Sequence, residues 1–324
     1  MLNKSEPNRT VLVTGAAGFL GAPVVRRLRR AGHRVLALDD GSVDTLNRLR
    51  ALSPDPDLYV RQLDIRERVS LMRVMAEFRP WAVIHLAARH FIPVCEAFPA
   101  ECLEVNVLGT QHLLDACVEY PPRRFLFAST ADVYEPSCRK HTEDDPLKPR
   151  GVYGNSKLLG ESLLRDQAGR ITGCEIVVAR LFNLYGPHDP HPHLIPEIIR
   201  QAREGNMLHL GELDAKRDFV HIEDAAEAMQ ALLENSVTTV VNVGTGHTTS
   251  VLDLVDTLAE LTGRRFEVRT DQTRKRRTPR QTCLAAPDKL RELLPWWPRI
   301  PVLEGLRRTV ATHDDGLGLV RGAS

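Results

Sequence analysis

The chain has 324 residues, 43% of them hydrophobic and 26% charged, with 43 basic against 42 acidic side chains and a formal net charge of +1. That length exceeds the usual single domain and supplies apolar material for one large or two intertwined cores. The balanced charge excludes a protein that binds nucleic acid or a membrane surface through its overall charge. Six cysteines, Cys95, Cys102, Cys117, Cys138, Cys174 and Cys283, show neither zinc-type pairing nor the density of a small disulfide scaffold, which points to a reducing compartment.

The opening MLNKSEPNRT has no apolar core of signal-peptide length, and no run of about 18 apolar residues follows it. The expected location is therefore cytoplasmic, with no membrane span. From Thr10, short β-branched runs alternate with longer helical patterns. VLVT at Val11 and RVLAL at Arg34 read as strands flanking an amphipathic helix from Gly18 to Arg30. LYVR at Leu58, a helix from Val69 to Phe78, and AVIHLA at Ala82 follow. A helix from Ala100 to Val118, RFLFAS at Arg124, a helix from Tyr153 to Arg165 and EIVVARL at Glu175 complete the series. Strands alternating with helices in this way predict an α/β fold, a Rossmann-type doubly wound parallel sheet. After Phe182 the loop GPHDPHPHLIP and short elements through Arg217 break the pattern. VVNVG at Val240 predicts a return to the sheet. Leu252 to Val310 reads as mostly helical, with a basic insert, TRKRRTPR, at Thr273, and HDDGLGLVRGAS at the end as a frayed tail.

Between the first strand and its helix, Gly15, Gly18 and Gly21 stand in GxxGxxG spacing. Glycines there permit a tight turn and close backbone approach, and the helix N-terminus offers unpaired N–H groups to a pyrophosphate. A purely structural glycine turn has the same spacing, so the context decides. About 20 residues on, the next strand ends in Asp39 and Asp40, where a carboxylate can accept hydrogen bonds from both ribose hydroxyls and would repel a 2′-phosphate. NAD is therefore expected over NADP. Asp40 fits a turn aspartate better than Asp39 does. Asp64, followed by Ile65 after the third strand, is placed to reach the adenine edge.

Tyr153 and Lys157, four apart, share one helix face. A neighbouring ammonium and an oxidised nicotinamide both favour the phenolate, which makes such a tyrosine a base near neutral pH. Thr130 ends the fifth strand at the carboxyl edge of the sheet, where its hydroxyl can bridge Tyr153 and a substrate oxygen. Taken alone, a Tyr four before a Lys also describes a solvated helix face. The ordered set of glycine turn, acidic strand end, strand-end Thr and Tyr/Lys reverses that balance.

From Val11 to about Val310 the chain resembles the extended short-chain dehydrogenase/reductase family, the NAD-dependent epimerases and dehydratases of nucleotide sugars. The matches run in order: TGAAGFLG, LDD, LDI, HLAA at His85, NVLGT at Asn106, STADVY at Ser129, YGNSK at Tyr153, RLFNLYGP at Arg180, RDFVHIED at Arg217 and NVGTG at Asn242. The resemblance implies that Gly15, Gly18, Phe19, Leu20, Gly21, Asp39, Asp40, Asp64, Ile65, Leu86, Ala87, Ala88, Asn106, Tyr153 and Lys157 lie in or near the NAD site. It implies that Asn183, His193, Leu194, Arg217 and Arg276 or Arg277 approach a nucleotide-diphosphate sugar, since guanidinium forks suit phosphate oxygens. A solvated basic loop is the other reading of the arginine run. The implied division is an NAD-binding Rossmann domain over 8–182 joined by about 217–248, a smaller, mostly helical nucleotide-sugar-binding domain over 183–216 and 249–312, and a flexible tail over 313–324. A homodimer through the helices at Ala100–Val118 and Tyr153–Arg165 is implied as well.

The residues after Thr130 depart from several members' patterns. Simple 4-epimerases carry small or hydroxyl residues there, whereas 4,6-dehydratases resemble Thr-Asp-Glu, decarboxylases Thr-Ser-Glu, and 3,5-epimerases place a cysteine where Asp132 stands. Asp132 is thus a candidate base for the proton at carbon 5 of a 4-keto sugar, or a residue bonded to a nearby loop. Ala131 removes the acid that dehydration uses. Glu135 replaces the glycine that usually follows this Tyr, and the sequence does not explain it. His188, His191 and His193 crowd the loop after Asn183 and read as loop packing, nucleotide contacts or an acid/base partner. A metal reading lacks a further ligand, and none is assigned. His85, inside a strand, reads as a packed core residue. The expected function is an NAD-dependent nucleotide-sugar 4-epimerase working through a transient 4-keto intermediate, with Tyr153, Lys157 and Thr130 as the site. The rivals are a dehydratase, decarboxylase or 5-epimerase using Asp132, and a dinucleotide-binding sensor without catalysis.

Overall fold

In the computed structural model, residues 9–42, 46–52, 55–235, 237–274 and 282–312 are described. The strands β1 (Thr10–Thr14), β2 (Arg34–Asp39), β3 (Leu58–Gln62), β4 (Ala82–His85), β5 (Arg124–Thr130) and β6 (Glu175–Leu181) join a seventh, Thr239–Val243, in one sheet. Its order is the seventh strand, β6, β5, β4, β1, β2, β3, and every neighbouring pair is parallel. Parallel pairing requires crossovers that lay helices on both faces, which is why these strands read as continuous apolar runs. Alternate side chains enter different cores. Val11, Val13, Val35 and Ala37 pack toward the helices Gly21–Arg30 and Ile222–Glu234, while Leu12, Leu36 and Leu38 pack with Leu71, Leu113 and Leu164 on the opposite side. The strand order reverses between β1 and β4, so a crevice opens at their carboxyl ends.

A third core of Tyr185, Ile195, Ile198, Leu208, Phe219, Leu254, Leu258 and Leu306 lies under the helices Leu194–Glu204, Val251–Thr262 and Val302–Ala311. Two short strands interrupt the stretch read as mostly helical. Glu267–Thr270 pairs with Met207–Leu210, and Thr282–Cys283 pairs with Lys216–Arg217.

The expected helices differ from the observed ones at identifiable residues. The first starts at Gly21 rather than Gly18, because Gly15 to Gly18 form the turn. The long helix expected from Ala100 to Val118 is three pieces: Pro99–Leu103, a wider π-type turn over Glu104–Gly109, and Thr110–Glu119. That widening sits where Asn106 reaches out of the helix to hydrogen-bond the backbone oxygen of Arg89 and the hydroxyl of Ser156, both at 2.9 Å. At Gly109 the Ile65 side chain comes in so closely that a Cβ would lie 2.7 Å from it. Such single-turn widenings recur at functional sites.

Candidate active site

The crevice is a cavity of about 1050 Å³ running from the glycine turn to the Asn183 strand. Gly15 has φ +67°, and a Cβ on it would lie 2.7 Å from the backbone nitrogen of Ala87; on Gly21 it would lie 2.0 Å from the carbonyl oxygen of Gly15. The turn is therefore folded directly against the HLAA segment, with the helix N-terminus facing the cavity, a cradle that fits a pyrophosphate. Asp39 ends β2 beside it and braces the turn, accepting from the backbone N–H groups of Ala17 and Gly41 at 2.9 Å each. Each carboxylate oxygen accepts more than one hydrogen bond, so Asp39 retains capacity toward a ribose. Asp40 caps its own turn, taking the N–H of Ser42 at 2.9 Å and its hydroxyl at 2.6 Å. Both aspartates line the cavity, as do Gly18, Phe19, Leu20, Asp64, Ile65, Leu86, Ala87 and Ala88.

Two of the expected residues are already engaged by protein groups here. The Asp64 carboxylate is held by the Arg66 guanidinium, with contacts down to 2.6 Å, and that hydrogen bond lowers its pKa, so it meets the cavity already paired. Asn106 is buried and does not line the cavity. Its amide instead clamps both backbone groups of Arg89, accepting from its N–H at 2.7 Å, and so fixes the segment that does.

Thr130, Asp132, Tyr153 and Lys157 converge on the same cavity. The helix Val152–Gln167 carries Tyr153 and Lys157 and begins after Gly151, at φ +84°. Gly154 lets this helix touch the turn after β5, since a Cβ there would stand 2.6 Å from the carbonyl oxygen of Asp132. That approach brings Tyr153 and Thr130 onto the same stretch of the cavity wall. Burial raises the phenol's pKa and the Asp132 carboxylate raises it further, while the Thr130 hydroxyl works in the opposite direction. The expected lowering of this phenol depends on Lys157 together with an oxidised nicotinamide beside it. Lys157 is 3% exposed, its ammonium 4.5 Å from the centre of the Phe127 ring. Burial brings it down to about 8, against the opposing pull of Glu161. Asp132 is half-buried, and its N–H donates to the Thr130 hydroxyl at 3.2 Å.

On the far wall stand Asn183, His193, Leu194 and Arg217. Asn183 is placed by the parallel pairing of Asn183–Tyr185 with Phe219–His221. His193 is oriented through Nδ1 by Asp189 at 2.8 Å. His191 does not line the cavity; it stacks on Phe91 with ring centres 5.1 Å apart, and His188 lies elsewhere, its carbonyl accepting from Arg48. Arg276 and Arg277 fall outside the described residues. Among those residues, no group of three or more His, Cys, Asp or Glu converges to hold a metal ion. His90, which flanks the HLAA turn, and Phe91, neither of them assigned a cavity role from the sequence, also line the cavity and pack against His191 and His193. Their place just beyond the strand end that carries HLAA was the available signal. His85 is a core residue, bonded to the hydroxyls of Thr14 at 2.7 Å and Thr110 at 2.9 Å. Glu135 pairs with Lys148 at 3.2 Å on the surface.

A glycine cradle at the switch point of a parallel sheet, facing a Tyr/Lys/Thr group across one cavity, defines an NAD-using enzyme of the Rossmann class. The chain belongs to the NAD dependent epimerase/dehydratase family, which matches residues 11–244. It is similar to the UDP-glucose 4-epimerase of Azospirillum brasilense, 32% identical with 98% of this chain and 95% of the relative covered. Its fold is similar to that of the UDP-glucose 4-epimerase of Thermotoga maritima, solved with UDP-glucose, at TM-score 0.86 and 28% identity, covering 94% of this chain and 98% of that one. The Thermus thermophilus UDP-glucose 4-epimerase, solved with NAD, is similar at TM-score 0.83 and 30% identity, over 94% and 99% of the two chains.

Proposed function

We propose that this protein is an NAD-dependent nucleotide-sugar 4-epimerase. The observation that carries the reading is the convergence of Tyr153, Thr130 and Lys157 on the cavity that begins at the glycine cradle. NAD, when bound, supplies reversible oxidation at carbon 4 of the sugar. Gly15, Gly18 and Gly21 seat the pyrophosphate, Asp39 takes the adenosine ribose, and Asp64 with Ile65 flanks the adenine. Tyr153 accepts the proton of the 4-hydroxyl and later returns one to the 4-keto oxygen. Thr130 orients that oxygen, and Lys157 holds the nicotinamide ribose and favours the phenolate. Asn183, His193, Leu194 and Arg217, joined by Arg276, bind the nucleotide diphosphate, which leaves the sugar free to turn its other face. In this reading Asp132 shapes the tyrosine's environment rather than acting on carbon 5, and Ala131 is the small residue a simple 4-epimerase carries.

The same reading extends to organisation. The third core supports a nucleotide-sugar domain built from 183–216 and 249–312 beside a Rossmann domain over 8–182 and about 217–248, although Cys283, Ala285, Leu290, Leu294 and Trp296 pack into the core of the main sheet. Leu103, Leu108 and Leu159 present apolar surface on the helices expected to pair, and Val94 and Phe98 (60% exposed) add to it just before them, which supports a homodimer. Six free thiols suit the cytoplasm, and no helix among the described residues is long and apolar enough to cross a membrane. The test is to incubate the protein with a panel of nucleotide sugars in deuterated water and follow products by NMR. Inversion at carbon 4 without solvent deuterium at carbon 5 is expected. Deuterium at carbon 5 assigns the chemistry to Asp132 instead. A bound NAD that no nucleotide sugar reduces, with Tyr153→Phe changing nothing, leaves a sensor.

A further inference from the structure

We propose that Arg89 is a strap across the NAD crevice, a positioning residue that retains the cofactor by joining the end of β4 to the turn after β2. The inference rests on the proposed seating of NAD along the glycine cradle and not on the sugar chemistry. In the sheet β2 and β4 flank β1, so their ends stand about 10 Å apart with the glycine turn between them. A side chain that leaves the β4 end and finishes on the β2 turn crosses that gap, and Arg89 does so. One terminal nitrogen donates to the Ser42 hydroxyl at 2.8 Å, and the other stands 3.7 Å from the Asp40 carboxylate. Ser42 gives its own hydroxyl proton to Asp40 at 2.6 Å, which leaves its oxygen to accept from Arg89. On the outer side Glu101, in the helix Pro99–Leu103, takes Nε at 3.1 Å and a terminal nitrogen at 3.0 Å. The backbone under the strap is fixed separately, because Asn106 holds the N–H and the carbonyl of Arg89.

Arg89, Asp40 and Ser42 all line the cavity, whereas Glu101 does not. Among the described residues that line it at the ends of β1, β2, β3 and β4, Arg89 is the single arginine or lysine, set beside Asp39, Asp40 and Asp64. A dinucleotide brings two phosphate charges into this acidic end, and Arg89 is the side-chain cation there that offsets them. Its side chain is 23% exposed, so it stands at the mouth of the crevice, where water competes for each contact. Ion pairs in such a setting are weak singly, and the strap is closed by its three partners acting together. A closure of that strength slows the departure of the cofactor without sealing it in. Retention of this kind serves a reaction in which the hydride taken from the sugar is given back to it, because an exchange of cofactor in mid-cycle strands the oxidised sugar.

The test loads the protein with NAD labelled in the adenine ring, chases with excess unlabelled NAD, and follows the retained label by gel filtration. Arg89→Ala is expected to speed release about tenfold, and Arg89→Lys, which lacks the fork that reaches both sides, about threefold. Glu101→Gln, a change outside the cavity, is expected to speed release about threefold when made alone and not at all when added to R89A. A folded R89A protein that releases NAD at the wild-type rate overturns the proposal. So does an E101Q protein that releases it no faster than wild type, or an E101Q effect that persists in full beside R89A, since Glu101 then acts by a route other than the strap. The Asn106 clamp holds the backbone at position 89 in every variant; where R89A nevertheless fails to fold, the rates of R89K and E101Q decide in the same way. The readout needs no turnover. Wild-type protein that holds no NAD discards the proposed seating and the strap with it, whereas NAD retained with unshifted rates in R89A and E101Q discards the strap alone.

Discussion

Thr130 and Asp132 act on the Tyr153 proton in opposite senses, the hydroxyl lowering the phenol's pKa and the carboxylate raising it. Removing each has a distinct consequence. Tyr153→Phe deletes the acid/base and is expected to lower kcat by about 10²- to 10⁴-fold while NAD binding persists. Asp132→Asn removes a charge that raises the phenol, so the acid limb of the kcat/KM profile should move to lower pH, and 4-epimerisation should stay within about tenfold of wild type. A complete loss of activity in Asp132→Asn, with NAD binding intact, would instead make Asp132 a participant in the chemistry. At this scale the sequence was most legible where a motif fixes both residue type and strand position, as at Thr130 and Asp39. It was least legible where a side chain acts through neighbours. Nothing in NVLGT says that the Asn106 amide turns toward Arg89, and nothing near Asp64 says that Arg66 takes its carboxylate.

The helix Val152–Gln167 shows how an element sets the geometry of the residues it carries. Its first turn rests on the backbone of Asp132 through Gly154, where a Cβ has 2.6 Å to the carbonyl oxygen. Gly154→Ala must lift the helix, and with it the Tyr153 phenol, away from Thr130. A displacement of about 1 Å there costs about 10²-fold in kcat, while the distant glycine cradle keeps its affinity for NAD within about threefold. Steady-state kinetics beside NAD titration checks both parts. Periodicity located this helix and the six leading strands well, because strands buried on both faces and amphipathic helices leave unmistakable patterns. It missed Ile92–Ala97 and the break at Glu104–Gly109, since neither a short helix opened by Pro93 nor a π-type turn alters the apolar spacing enough to be read. The short strands Glu267–Thr270 and Thr282–Cys283 exist only through their partners, a tertiary effect that local sequence does not carry.

Taken whole, the molecule holds several titratable groups in states that water would reverse. His85 is brought down to about 3 and His221 to about 4, burial being the first cause of both. A histidine kept neutral by the fold takes up its proton more readily when unfolded. The stability linked to these two is therefore present above the unfolded value of about 6.5 and is lost as pH falls below it toward 3 to 4, at about 1–2 kcal/mol each by pH 5. Asp218 and Asp224, raised by burial, act in the opposite sense at lower pH. Thermal unfolding should show Tm falling between pH 7 and pH 5, and His85→Asn should flatten that slope. The proposed dimer makes its own prediction: Leu108→Glu with Leu159→Glu should yield a monomer by sedimentation, with the site on each chain unchanged. The most direct test of the account is a crystal structure with NAD and a nucleotide sugar bound. It predicts the oxygen on carbon 4 within about 3 Å of both the Tyr153 hydroxyl and the Thr130 hydroxyl, with carbon 4 facing the nicotinamide. A sugar whose carbon 4 oxygen lies beyond reach of Tyr153, or a phenol turned away from the nicotinamide, would contradict it.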